Sequence, residues 1–150
     1  MIKHYIKFLS YLFLVILLIT PKSFAKDGFG EIKFTSQSYQ HFLAYLRGDG
    51  NPAASGVMMT SGIPTGFAIN QKGNQSFYYY CPKKYGDNCM PGGKIRAQND
   101  CSKISKKSGD GRCFVFAKGR VIVWGDANVK IPRKVTVEQV REIFKENGWY

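Results

Sequence analysis

Residues 113–124 read Cys-Phe-Val-Phe-Ala-Lys-Gly-Arg-Val-Ile-Val-Trp. Two apolar runs rich in β-branched and aromatic residues flank Lys118-Gly119, and glycine at a tight turn between such runs predicts a β-hairpin. The pattern within the runs decides the class of fold. A sheet with one wet face alternates apolar and polar residues, whereas Phe114 to Ala117 and Val121 to Trp124 are apolar at every position. Phe77 to Tyr80 repeats the feature upstream. Either helices cover both sides of the sheet, or one side is a bare aromatic platform carrying Tyr78, Tyr80 and Trp124.

Upstream of this hairpin, residues 93–107 predict a helix with Ala97, Cys101 and Ile104 along one stripe and Lys103, Lys106 and Lys107 outward. Gly66 to Asn70 and Gln75 to Cys81 form a second expected hairpin, turning at residues 71–74. The glycine- and proline-containing stretch from Gly48 to Thr65 reads as a long loop, and residues 81–93 as irregular. A first helix, capped by Ser36 or Ser38 and running to about Arg47, aligns Tyr39, Phe42, Leu43 and Leu46, with Gly48 just beyond. Residues 31–35 suggest a short strand before it.

Downstream, Thr136 and Gln139 have the spacing of a capping box, with Val135 and Val140 as a hydrophobic staple and Gly148 as the stop. Val137, Val140 and Phe144 are the expected buried face. The order helix, hairpin, helix, hairpin, helix implies an α+β domain: a mainly antiparallel sheet of about four strands packed with about three helices.

The first 25 residues read as a cleavable signal peptide. Lys3 and Lys7 precede an apolar run from Phe8 to Thr20, too short to span a bilayer, and Ser23-Phe24-Ala25 places small residues where a signal peptidase reads, with cleavage at Ala25. Residues 26–150 are then a single small exported domain, periplasmic or secreted, with no stable membrane span after cleavage. Three of the chain's 22 lysines and arginines and none of its 10 acids fall in the leader. The mature part therefore keeps a strong basic excess, which favours anionic partners.

Four cysteines, Cys81, Cys89, Cys101 and Cys113, all lie beyond the leader. In an exported chain an even count reads as disulfides, and their gaps contain no Cys-x-x-Cys pair of the kind zinc sites use. Of three connectivities, Cys81 with Cys89 and Cys101 with Cys113 is favoured because both close short loops. Two disulfides thus staple the expected fold.

Motifs of catalysis are scarce. Past the leader the chain has one histidine, His41, on the first helix, and paired cysteines leave no thiolate. No Gly-x-Ser-x-Gly elbow, His-Glu-x-x-His or phosphate loop occurs. Asp49-Gly50-Asn51 opens like a calcium loop, but Thr60 stands where a bidentate glutamate is required. Asp87, Asp100, Asp110 and Asp126 are too scattered for a paired acid and base. No metal, cofactor or catalytic residue is expected.

The strongest positive feature is a basic stretch, Lys103, Lys106, Lys107, Arg112, Lys118 and Arg120, interrupted by Asp110 and near Tyr78, Tyr79, Tyr80 and Trp124. Cations beside aromatic faces suit polyanions or sugars. The competing reading is that the aromatics are core and the lysines a solvated helix face.

The run from Cys101 to Trp124 resembles a group of small exported bacterial domains of unknown function. They share a helical cysteine, a second cysteine about a dozen residues on, and the ending Cys-x-x-Phe-Ala-x-x-Arg-x-x-Val-Trp. Cys113, Phe116, Ala117, Arg120, Val123 and Trp124 match that ending, and the stretch from Gly66 to Cys81 is similar to the same group. The resemblance implies export and disulfides, and no activity.

The expected function is an envelope-associated binding or accessory domain whose basic face meets an anionic envelope component, with nucleic acid the less favoured polyanion. The alternatives are a structural subunit docked on another exported protein, by the residue 48–65 loop or the aromatic sheet face, and a small periplasmic hydrolase.

Overall fold

A computed structural model describes residues 27–48, 62–82 and 92–150. The expected leader with its cleavage point at Ala25, most of the expected 48–65 loop, and Cys89 lie outside the described residues. The architecture is α+β. A five-stranded antiparallel sheet in the order β2-β1-β3-β4-β5 is built from β1 (Gly62–Asn70), β2 (Ser76–Pro82), β3 (Cys113–Lys118), β4 (Val121–Ile122) and β5 (Val129–Lys130). Three helices pack with it: α1 (Ser36–Arg47), α2 (Gly93–Lys107) and α3 (Val137–Glu146).

The continuous apolar strands have their explanation in two-sided cover. On one face, Phe67, Ile69, Phe116 and Ile122 join Tyr39, Phe42, Leu43 and Leu46 of α1 and Val140 and Phe144 of α3 in the main core. On the other face, Ala68 and Cys113 meet Ala97 and Cys101 of α2, with Phe77 and Tyr79 alongside. Successive strand residues point to opposite faces, so Tyr78 packs on the main core while its neighbours Phe77 and Tyr79 pack under α2. Aromatic rings dominate the main core: Phe34 lies 4.7 Å from Phe116 and 5.0 Å from Phe144, both edge-on. Edge-to-face pairs add about 0.5–1.5 kcal/mol each beyond area burial.

α1 follows its apolar period, but its cap is Thr35, whose Oγ1 accepts from the Ser38 amide at 3.2 Å, and not Ser36 or Ser38. It ends at Gly48 in the left-handed region, φ 70°, where the amide donates to Ala44 O. A Cβ there would sit 2.8 Å from Gly62 Cα, so this glycine is required by both conformation and contact.

α2 spans the expected residues with a different stripe. Ala97, Cys101 and Ser105 are buried, and Ile104 is 42% exposed. A serine takes the buried position because its neighbour on β1 is polar: Asn70 Nδ2 donates to Ser105 Oγ at 3.3 Å. Asn70 is fully buried yet fully engaged. Its Oδ1 accepts from the Asn74 and Gln75 amides and closes the β1–β2 turn.

Cys101 and Cys113 form a disulfide, Cα to Cα 5.7 Å, tying the middle of α2 to the start of β3. The second expected pair, Cys81 with Cys89, extends outside the described residues. The last helix carries the predicted capping box, Thr136 Oγ1 accepting from Gln139 N and Gln139 Oε1 from Thr136 N. Val135 and Val140 are buried as a staple requires.

Two expectations need correction. Residues 31–35 form no strand; residues 27–35 are a strap fixed by donors from several elements, among them Trp124 Nε1 to Gly30 O at 2.7 Å and Phe34 N to Trp149 O at 2.9 Å. The loop expected up to Thr65 stops earlier, since β1 begins at Gly62 and accommodates Pro64 where β2 is its partner and β3 has already ended. The expected antiparallel sheet of about four strands is present, extended by a short fifth strand in which Val129 and Lys130 pair with Ile122 and Val121. Two residues are too few to show a period.

Candidate anion-binding surfaces

The six cations of the predicted basic stretch do not form one patch. Lys103, Lys106 and Lys107 are exposed on α2, three and four residues apart on its outer side, and exposed Arg112 follows in the link to β3. None of these four is in an ion pair among the described residues, and Asp110, the acid within the stretch, is engaged by Lys72 at 2.7 Å. Lys118 stands at the far end of β3, five residues from Cys113 and therefore ~17 Å away at about 3.4 Å per residue. There Lys118 is neutralised by Asp27 at 2.7 Å.

Arg120 differs most from its expected role. It is half-buried, and its guanidinium reaches backbone carbonyls: Nε to Ile131 O at 3.2 Å and Pro132 O at 3.1 Å, Nη2 to Pro132 O at 2.6 Å, and Nη1 to Leu46 O at 2.9 Å. These bonds tie the β3–β4 turn to the end of α1 and to the segment after β5. Buried Tyr45 adds a tie from α1 by donating its hydroxyl to Gly119 O. Burial lowers the Arg120 pKa, the neighbouring Tyr45 acts to raise it, and the nearby charge of Arg133 lowers it further. Burial likewise pushes the Tyr45 hydroxyl well up, so it stays a neutral donor.

Arg120 also lines a groove of about 580 Å³ between the start of β1, the β3–β4 turn and the end of β5. Lys130 and Arg133 line it as well, together with Ile63, Pro64, Val121 and Pro132. Lys130 and Arg133 lie beyond the predicted basic stretch. No spacing in the sequence relates them to Arg120, and only the pairing of β4 with β5 brings them there.

The aromatic platform is not assembled. Tyr78 stacks over Phe67 with ring centroids 6.2 Å apart, and Tyr80 lies 6.5 Å from Tyr78, both half-buried along the β2 edge. Trp124 is 3% exposed, packed 5.9 Å from Phe116 beyond β4 and hydrogen-bonded to the N-terminal strap. With β1 and β3 between β2 and β4, Trp124 cannot extend the tyrosine surface. Its burial follows from its size and from the partner its indole N–H finds.

His41 and Ser76 make the closest approach to a nucleophile and base, Nδ1 to Oγ 3.0 Å. Burial lowers the His41 pKa. Among the described residues no carboxylate hydrogen-bonds its other ring nitrogen, and a serine–histidine pair without an orienting third group carries no case for acyl transfer. Asp126, one of the four scattered aspartates, is exposed in a turn. Among the described residues no group of three His, Cys, Asp or Glu is placed to hold a metal ion, and no helix is long and apolar enough to cross a membrane. No family model, curated protein or solved structure matches the chain.

Proposed function

We propose that this protein is an exported, non-enzymatic binding or accessory domain of the cell envelope or its surroundings, and that it engages an anionic partner through the outer face of α2. The supporting observation is the set Lys103, Lys106, Lys107 and Arg112, four exposed cations with no ion-pair partner among the described residues. Such a face attracts phosphate, carboxylate or sulfate groups on a polymer or a membrane surface by charge and without a shaped pocket. The Cys101–Cys113 disulfide fits an oxidising compartment, in line with the signal peptide read from residues 1–25. Docking as a structural subunit through an aromatic sheet face is disfavoured, since helices cover both faces.

The test is retention on an immobilised polyanion and on anionic vesicles as salt is raised, for the natural protein and for the variant Lys103→Glu, Lys106→Glu, Lys107→Glu, Arg112→Glu. The expected result is retention that falls steeply with ionic strength and is abolished in the variant, with unfolding unchanged. Equal retention of both proteins refutes the proposal, as does a partner that stays bound at high salt.

A further inference from the structure

The groove around Arg120 points to something different from a diffuse basic face. Lys103, Lys106 and Lys107 on α2 are exposed to solvent, whereas the Arg120 guanidinium is held at a fixed place by three carbonyls from two segments. Its Nε–H and one Nη2–H close on Pro132 O, and one Nη1–H on Leu46 O. Of the five N–H groups on a guanidinium, one on each terminal nitrogen then has no acceptor among the described residues. No carboxylate pairs with Arg120, Lys130 or Arg133 among the described residues.

The walls carry the second half of the argument. β1 runs past the end of β3: Gly66 pairs with Lys118, and Gly62, Ile63 and Pro64 pair only with β2. That overhang leaves Ile63 49% exposed against the groove, with Val121 and Pro132 among the residues lining it. Apolar surface beside a fixed, unneutralised cation is a poor match for a fully hydrated polymer. It suits a ligand that carries one compact anionic end and one apolar end. The volume, about 580 Å³, is that of a small-molecule site and not of a protein interface.

We propose that this groove is a second binding site, taking a carboxylate borne on an apolar stem, with the carboxylate on Arg120, Lys130 and Arg133 and the stem against Ile63, Val121 and Pro132. A planar carboxylate matches a guanidinium that presents N–H groups from fixed nitrogens. Two sources share this chemistry, a medium-chain fatty acid and the free C-terminal end of a peptide with an apolar last residue. The site is independent of the α2 face.

The test titrates the full exported chain, purified from cells, with decanoate, with decanol, with a leucine-ending tripeptide and with its C-terminal amide. The methyl resonances of Ile63 and Val121 are followed, and affinities are measured by calorimetry. Saturable binding of decanoate or of the free-acid peptide, with shifts confined to those methyls and the neutral counterparts bound at least about tenfold more weakly, is the expected result. The tighter of the two acids names the source. Because Arg120 also holds the fold together, the variants are Lys130→Gln and Arg133→Gln, each expected to weaken the acid by a few-fold to tenfold without changing unfolding. The α2 charge-reversal variant is expected to bind the acid unchanged, which separates this site from the proposed function. Equal binding of acid and neutral probe, shifts centred on α2, or no saturable binding of either acid overturns the proposal.

Discussion

The two ends of β3 carry cations that are neighbours in sequence and opposite in physical character. At its start, Lys103, Lys106, Lys107 and Arg112 project into solvent, each replaceable by another, and the fold asks nothing of them. At its end, Lys118 is spent on Asp27, and Arg120 is threaded among the carbonyls of Leu46, Ile131 and Pro132. A charge on a helix surface costs little to place and loses little when removed. A half-buried guanidinium is held where carbonyls replace part of its hydration, and those carbonyls depend on it in return. The first kind of cation can serve function without affecting the fold; the second cannot be separated from it.

The sharpest way to break this contrast is to delete one cation of each kind. Arg120→Ala strands carbonyls of α1 and of the post-β5 segment and removes the link among three elements. The expected loss is on the order of 3 kcal/mol, since charge-assisted hydrogen bonds contribute about 1.5–3 kcal/mol and unpaired buried groups add a penalty. Lys107→Ala is expected to change stability by less than about 0.5 kcal/mol. Denaturant unfolding of both variants measures the difference. A loss below ~1 kcal/mol for Arg120→Ala would mean the carbonyls find water, and the distinction between the two ends would fail.

A second experiment acts on the α2 end alone. The Cys101–Cys113 disulfide closes a short loop that carries Lys103, Lys106, Lys107 and Arg112. Replacing both cysteines by serine is expected to cost about 2–3 kcal/mol, the range for a loop of this length. If the basic face is diffuse, polyanion retention of the folded variant will be nearly unchanged while its midpoint of unfolding falls. Retention lost in step with the disulfide would show instead that the four cations work through a fixed arrangement.

What was legible in the sequence follows the same division. Elements with long, repeated signals were readable: α2 spans residues 93–107 as expected, α3 shows its capping box, and both hairpins turn where glycine or the 71–74 tetrad predicts. The Cys101–Cys113 pair was readable because both residues close a short loop. The face of each strand was harder, since an all-apolar run looks the same whether a helix or solvent lies above it. Trp124 therefore reads from the sequence as part of a platform, and it belongs to the core. Ile104 and Ser105 exchange roles because the surface facing position 105 presents a buried polar group, Asn70, whose Nδ2 donates to Ser105 Oγ, and a helix stripe read alone contains nothing about its partner. The groove was out of reach: Arg120, Lys130 and Arg133 meet through a two-residue strand, and a charge count along the chain treats Arg120 as one more lysine-like cation.

The smallest expected effect concerns pH, and it again separates the two ends. Hydrogen bonds from Lys72 and, after the opposing effect of partial desolvation, from Asn74 hold the Asp110 carboxyl below its ordinary value of 3.8. A carboxyl with a depressed folded-state pKa adds stability at all pH above its unfolded value, and that contribution is lost as pH falls through the folded value. His41, lowered by burial, has the same sign at higher pH: its contribution is complete above 6.5 and declines as acid drives a proton onto the half-buried ring. Arg120 remains charged throughout, so the ties at the groove end do not titrate. Acid should therefore loosen the link between α2 and β3 before it touches the Arg120 turn. Amide hydrogen exchange at residues 108–112 and 118–122, compared between pH 7 and about pH 2.5, below the ordinary carboxyl value, after correction for intrinsic rates, reads this directly. The Asp110→Asn variant should show at pH 7 part of the loosening that acid produces in the natural protein, with little further change below pH 4. Uniform loss of protection across both segments would mean that they unfold as one unit, and that the difference between the two ends is one of charge and not of stability.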